Sequence, residues 1–197
     1  MIILGLTGSI AMGKSETAKM FAGLGVPVFD ADAEVHKLYE KDGAAAPLIA
    51  NRFPEAVKDG VVDRQVLTRL IADDPQALGD LESVVHPLVR KAESAFIEAA
   101  RAKGERLVVL DIPLLFETGR ESDFDYIAVV SVGPKEQQRR ALARPGMTVE
   151  KFKRILDRQM PDAEKRKRAD FIIATDTLET ASRAVAAIVE KLKANAS

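Results

Sequence analysis

Residues 5–17 read GLTGSIAMGKSET: an apolar run ends in a glycine-punctuated loop, and the loop opens into a helical pattern. Gly8, Gly13, Lys14 and Ser15 satisfy G-x-x-x-x-G-K-[ST], and the context this motif demands, a strand running in and a helix running out, is met. Glycines let the backbone wrap inward so that successive N–H groups point at one set of phosphate oxygens. The helix starting at Lys14–Ser15 aims its positive dipole end at the same anion. Lys14 supplies a point charge for the β/γ-phosphates, and the Ser15 hydroxyl is a ligand suited to Mg²⁺. A loop of this kind has its place at the carboxyl end of a strand in an open α/β sheet, so it limits the fold more than any other feature.

Short, nearly continuous apolar runs recur at 2–6, 26–29, 106–112, 126–132 and 171–175. Continuous rather than alternating runs suit strands buried on both faces, as in a parallel sheet. Helical patterns lie between them at 15–24, 81–103, 135–144 and 178–194. This alternation predicts a doubly wound, three-layer α/β/α fold with a five-stranded parallel sheet. From Asp32 to Lys103 no convincing strand appears, while Pro47, Pro54, Gly60, Pro75, Gly79 and Pro87 punctuate several helical patterns. The expected organisation is a core of 1–31, 105–134 and 169–197, a helical substrate-binding insertion at 32–104 and a basic lid region at 135–168. Within the insertion, "VVHPLV" (84–89) reads as a helix interrupted at His86–Pro87.

Composition removes whole classes of function. There is no cysteine, so disulfides and Cys-based metal sites are excluded, and His36 and His86 form no metal-binding pair. With a net charge of -1, the chain has the balance of a globular domain, and no nucleic-acid partner is expected. "MIILGL" is too short for a membrane span and lacks the basic start of a signal peptide, so a cytoplasmic protein without a membrane partner is expected. Residues 135–168 nevertheless carry 12 Lys/Arg against 5 Asp/Glu, either as solvated helix faces or as the place for a polyanionic ligand. No D-x-x-G and no N-K-x-D occurs, which disfavours a GTPase switch and guanine specificity.

Carboxylates and cations complete the candidate site. The second strand ends in "FDAD", placing Asp30 and Asp32 at the carboxyl edge where ligands gather. One of them is expected to cap the following helix, and Asp32 is favoured for orienting an acceptor hydroxyl. Asp111 ends the third long apolar run, where a carboxylate either touches the Mg²⁺ shell or caps the surface. "IPLLFE" beyond it offers either an apolar substrate wall or core. Arg140 and Arg144 lie four apart on one helix face, suited to spreading phosphate charge. His86 is either a structural group or a contact to substrate phosphate or ribose.

Taken in order, "LTGSIAMGKS", "GVPVFDAD", "VVHPLV", "DIPLLFE", "QQRRALAR" and "RILDRQMPDAEKRKRADFII" resemble the dephospho-CoA kinase family over nearly the whole chain. The resemblance implies a fold like that of nucleoside monophosphate kinases and transfer of the ATP γ-phosphoryl group to the ribose 3′-hydroxyl of dephospho-CoA. It implies ATP and dephospho-CoA as partners, Mg²⁺ as cofactor, and a monomer or weak homo-oligomer. Carried over, Gly8, Ala11, Met12, Gly13, Lys14, Ser15, Glu16 and Arg144 hold ATP, while Asp32, Lys14 and Arg140 carry the chemistry. Asp32, His86, Pro113, Leu114, Leu115 and Phe116 line the acceptor side, and Ser15 and Asp111 serve the metal. Three positions depart from the family pattern: Ala11–Met12 in a loop that is usually richer in glycine, Pro145 where an acidic residue is usual, and Ala174–Thr175 where Asp-Asn is common.

Overall fold

Val, Ile and Leu dominate the three central strands of the sheet, where most residues are buried. The computed structural model describes residues 1–72 and 74–195. Along the chain run β1 (Ile2–Thr7), α1 (Lys14–Gly23), β2 (Val28–Asp30), α2 (Ala31–Tyr39), α3 (Ala46–Arg52), β3 (Val57–Lys58), β4 (Val61–Val62), α4 (Arg64–Ile71) and α5 (Pro75–Ala102). They are followed by β5 (Leu107–Asp111), β6 (Tyr126–Ser131), α6 (Pro134–Leu142), α7 (Val149–Asp157), α8 (Asp162–Arg168), β7 (Phe171–Ala174) and α9 (Leu178–Asn195).

Two compact units result, residues 1–29 with 99–197 and residues 30–98. In the first, among the described residues, a five-stranded parallel sheet has the order β2-β5-β1-β6-β7. β1 lies at its centre, in register with β5 (Leu4↔Val109) and with β6 (Gly5↔Ile127). The strand order diverges around β1, so the loop leaving its carboxyl end sits at the switch point where such sheets bind ligands. β5 is buried throughout. On one face Leu4, Leu6, Val109, Val130 and Ile173 pack with Phe21 of α1 and Val185, Ile188 and Leu192 of α9. On the other face the backbone of Gly5 is approached closely: a Cβ there would stand 2.8 Å from Leu115 and 2.9 Å from Phe124. The basic segment 135–168 belongs to this unit rather than forming one of its own.

The second unit carries α2, α3, α4, most of α5 and a two-stranded ribbon of β3 and β4. The ribbon was not expected. Its strands have two residues each, too short to show a period, but its turn has a physical signature: Asp59 and Gly60 both take positive φ (51° and 78°), as a tight hairpin requires. A second correction concerns α5, which runs without interruption through His86 and Pro87. Pro87 removes one backbone donor, but it is exposed, and Leu81, Val85 and Val89 are buried along the same helix. Burial of that stripe outweighs one lost hydrogen bond in a helix about 42 Å long.

Leu6 is fully buried at the centre of the sheet, directly below the glycine loop. Leu6→Ala is expected to cost about 2–5 kcal/mol of folding stability, read from the urea unfolding midpoint.

Candidate active site

Inward-pointing N–H groups hold an anion only if the loop carrying them keeps one shape. Gly8 leaves β1 so close to β6 that a Cβ would stand 2.3 Å from Val130 Cγ2 and 2.9 Å from the Val130 carbonyl oxygen. Gly13, at φ 93°, is the residue before α1. Between them Ala11 takes φ 62°, the left-handed region that costs a residue bearing a Cβ about 1–2 kcal/mol. This conformation is held by neighbours. Ala11 is buried against Ala141 and Phe152, and Met12 is buried in the sheet core, its Sδ accepting from Val132 N at 3.2 Å. The two departures from a glycine-rich loop are therefore anchors, one packed on α6 and α7 and the other in the core.

Thr175 is the hub that the sequence did not reveal. Its hydroxyl donates to the Met12 carbonyl at 2.6 Å, its N–H donates to the Ser131 carbonyl at 2.9 Å, and its own carbonyl accepts from Arg140 at 2.8 Å. The loop, two strand ends and Arg140 thus meet at one buried residue. A hydroxyl there does what a packed apolar side chain would not, because it donates to a carbonyl that the inward-wrapped loop turns outward.

The charges converge on the same place. Lys14 Nζ pairs with Asp111 Oδ1, with Asp111 almost fully buried. At 2% exposure Asp111 is not a surface cap. Ser15 is exposed at the start of α1. Arg140 is held from both sides, by Glu136 (Nε–Oε1 2.7 Å) and by the Thr175 carbonyl. Hydrogen bonds from Arg139 and Arg140 hold the Glu136 carboxyl down to about 2. Arg140 and Arg144 then line a cavity of about 310 Å³ with Ala11, Gly13, Glu16 and Thr177. That volume lies at the lower end of small-molecule pockets. Glu16 turns partly outward, pairing with Lys19 at 2.7 Å.

Other expected residues fall differently. Leu115 is fully buried over Gly5, so it is core rather than substrate wall. Phe116 is buried as well; of the four residues 113–116, Leu114 is the one left exposed. In the second unit Asp30 caps α2, accepting from Ala33 N at 2.9 Å. That settles which of the two aspartates caps, and it leaves the exposed Asp32 carboxylate unused by the helix end. His86 is exposed on α5.

Residues 2–180 match the family model described as dephospho-CoA kinase. The chain belongs to the dephospho-CoA kinase family. The dephospho-CoA kinase of Mesorhizobium japonicum is 54% identical, with 98% of each chain covered. Among solved structures, TT1252 from Thermus thermophilus superposes with a TM-score of 0.83 at 38% identity over 97% of each chain. The dephospho-CoA kinase of Campylobacter jejuni shares the fold, with a TM-score of 0.67 at 23% identity over 96% of each chain. In this kinase, Gln137 and Gln159 also touch the loop, at Ile10. Both lie inside stretches that carry the family resemblance, but nothing in their spacing marks them as loop contacts.

Because the Glu136 carboxyl titrates below its ordinary value of 4.5, the stabilisation it contributes is complete above about pH 4.5 and is lost as the pH falls through about 2. A carboxyl-carbon NMR titration is expected to place the Glu136 midpoint near 2. Glu136→Gln is expected to raise KM for ATP about two- to five-fold, uniformly between about pH 6 and 9, where the carboxylate stays ionised.

Proposed function

We propose that this kinase transfers the γ-phosphoryl group of ATP to the ribose 3′-hydroxyl of dephospho-CoA, giving coenzyme A and ADP. The observation that carries the reading is the Lys14–Asp111 pair beneath a loop ending in a helix N-terminus, since a lysine and a carboxylate so placed are what a triphosphate and its cation require. The acceptor follows from the family.

The N–H groups of Gly13, Lys14 and Ser15, where the loop opens into α1, receive the β- and γ-phosphates, and Lys14 moves its charge from Asp111 to the phosphate oxygens. Arg140, already oriented by Glu136 and Thr175, neutralises charge that spreads over the equatorial oxygens during transfer. The cavity beside it, walled by Thr177 and Leu178 together with Met20 and Ala181 of α1 and α9, takes the nucleoside, with Arg144 at its edge. The Ser15 hydroxyl and the Asp111 carboxylate are hard oxygen donors suited to Mg²⁺. No group of three His, Cys, Asp or Glu able to hold a metal occurs among the described residues. Held by Ser15 and Asp111 together with the phosphates of ATP, Mg²⁺ would supply Lewis-acid stabilisation of phosphate charge. On the second unit Asp32 is assigned the general-base role at the 3′-hydroxyl, and His86, Pro113 and Leu114 the acceptor side. In-line transfer moves the phosphorus from the β–γ bridging oxygen to the 3′-oxygen, and the hydroxyl proton passes to Asp32.

ADP release coupled to dephospho-CoA, with the product checked by mass for one added phosphoryl group, tests the reading. ADP formed equally well with a nucleoside monophosphate as acceptor would overturn it. Asp32→Asn is expected to lower kcat by about 10²–10⁴ with ATP affinity little changed. Lys14→Ala is expected to weaken both ATP binding and turnover. An Asp32→Asn enzyme with wild-type turnover would remove that residue from the chemistry.

A further inference from the structure

The Ile10 backbone is gripped from both sides by glutamines of the basic segment. Gln137 Nε2, on α6, donates to the Ile10 carbonyl at 2.9 Å, and the Ile10 N–H donates to Gln159 Oε1, just beyond α7, at 3.0 Å. The two bonds fix the peptide planes on either side of Ile10. The next two planes are also fixed: Met12 N–H donates to Ser9 O at 3.2 Å, and Met12 O accepts from Thr175. Ala11 therefore lies between peptide planes that cannot rotate, and this holds it at φ 62°.

A buried ionic cluster fastens the chain at Met160, the residue after Gln159. Lys165 is fully buried and pairs with Glu117 at 2.8 Å. Glu117 Oε1 also accepts from Met160 N at 2.8 Å, directly adjoining Gln159. Asp162 accepts from Ser131 Oγ at 2.7 Å, tying the same turn to the end of β6. Glu117 Oε2 and Asp162 Oδ1 are buried with no hydrogen-bond partner among the described residues. A cluster this costly to bury is retained where it dictates one arrangement of the chain.

We propose that Gln159 and Gln137 are positioning residues for the phosphate-binding loop, and that the Glu117–Lys165 pair serves the reaction by holding Gln159 on Ile10. Gln137 and Arg140 lie three apart on α6 and so share one face; the helix that orients the transfer cation also sets the loop. Neither glutamine touches substrate in this assignment. Each acts by keeping the N–H groups of Ala11, Gly13 and Lys14 aimed at the phosphates.

The inference rests on the reading of this loop as the ATP site, and direct binding separates the two. Titration with a fluorescent ATP analogue is made on the wild type, on Gln159→Met, which keeps length but removes the acceptor, and on Gln137→Met. Exchange at the Ile10 amide is followed by NMR in the wild type and in Gln159→Met. Gln159→Met is expected to weaken ATP binding about tenfold and to speed Ile10 amide exchange, with KM for the acceptor and the thermal midpoint near wild type. Gln137→Met is expected to raise KM for ATP in the same way. A wild type that fails to bind ATP overturns the reading of the loop. A wild type that binds, beside a Gln159→Met that binds equally well with unchanged exchange, overturns the clamp. The double variant Glu117→Gln/Lys165→Met is expected to reproduce the loss of ATP affinity without altering any group on the loop. If it folds and binds ATP as the wild type does, the cluster has no part in positioning, and if it does not fold, Gln159→Met decides.

Discussion

A loop that turns its N–H groups inward toward an anion must turn carbonyls outward, and those carbonyls need donors inside the protein. The rest of the site follows from that requirement. Thr175 answers it at Met12 and Gln137 answers it at Ile10. The donors come from the end of β7 and from α6, so strands and helices far apart in the chain must meet at one loop before it can bind anything. Arg140 then uses Thr175 again, through its carbonyl. Arg140 and the loop backbone at Met12 are thus fastened to the same residue.

The central place of β1 makes this convergence possible. A parallel sheet buried on both faces allows few exposed ends, and the carboxyl ends of β1, β5, β6 and β7 gather on one edge. Asp111 at the end of β5 is nearly inaccessible to water, a position where an isolated carboxylate would be costly. Lys14 offsets that cost within the protein. Lys14–Asp111 differs from Lys165–Glu117 in access: Lys14 keeps some contact with water, whereas Lys165 is fully buried.

Much of this was legible in the residues and some was not, for identifiable reasons. The glycine loop, the five strand runs and Asp111 were readable because each depends on local pattern: a motif at fixed spacing, or a continuous apolar run. Asp30 and Asp32 were both at a strand end, and only the helix start decided that Asp30 caps. Leu115 read equally well as pocket wall or core, because an apolar side chain after a strand can turn either way; its packing over Gly5 decided for core. The hairpin at Asp59–Gly60 escaped because two-residue strands have no period, although its turn residues were in view. Gln137, Gln159 and Thr175 escaped for a deeper reason. Each is an ordinary polar residue whose role exists only through contacts more than a hundred positions away.

By itself the sequence determined that this chain binds a nucleotide phosphate on a loop between a strand and a helix. It also determined that the surrounding sheet is parallel and that basic residues gather at 135–168. These are consequences of local geometry: glycine's freedom, the helix dipole and the burial of apolar runs. Only the tertiary structure decided how an alanine comes to stand in the left-handed conformation at position 11. Its strain is held by Ala141 and Phe152 packed against it, by Gln137 and the Ser9 carbonyl on the two peptides that flank it, and by Gln159 and Thr175 on the next ones out. Such a conformation is unfavourable locally and becomes stable only when distant parts of the chain fix the peptide planes on either side of it.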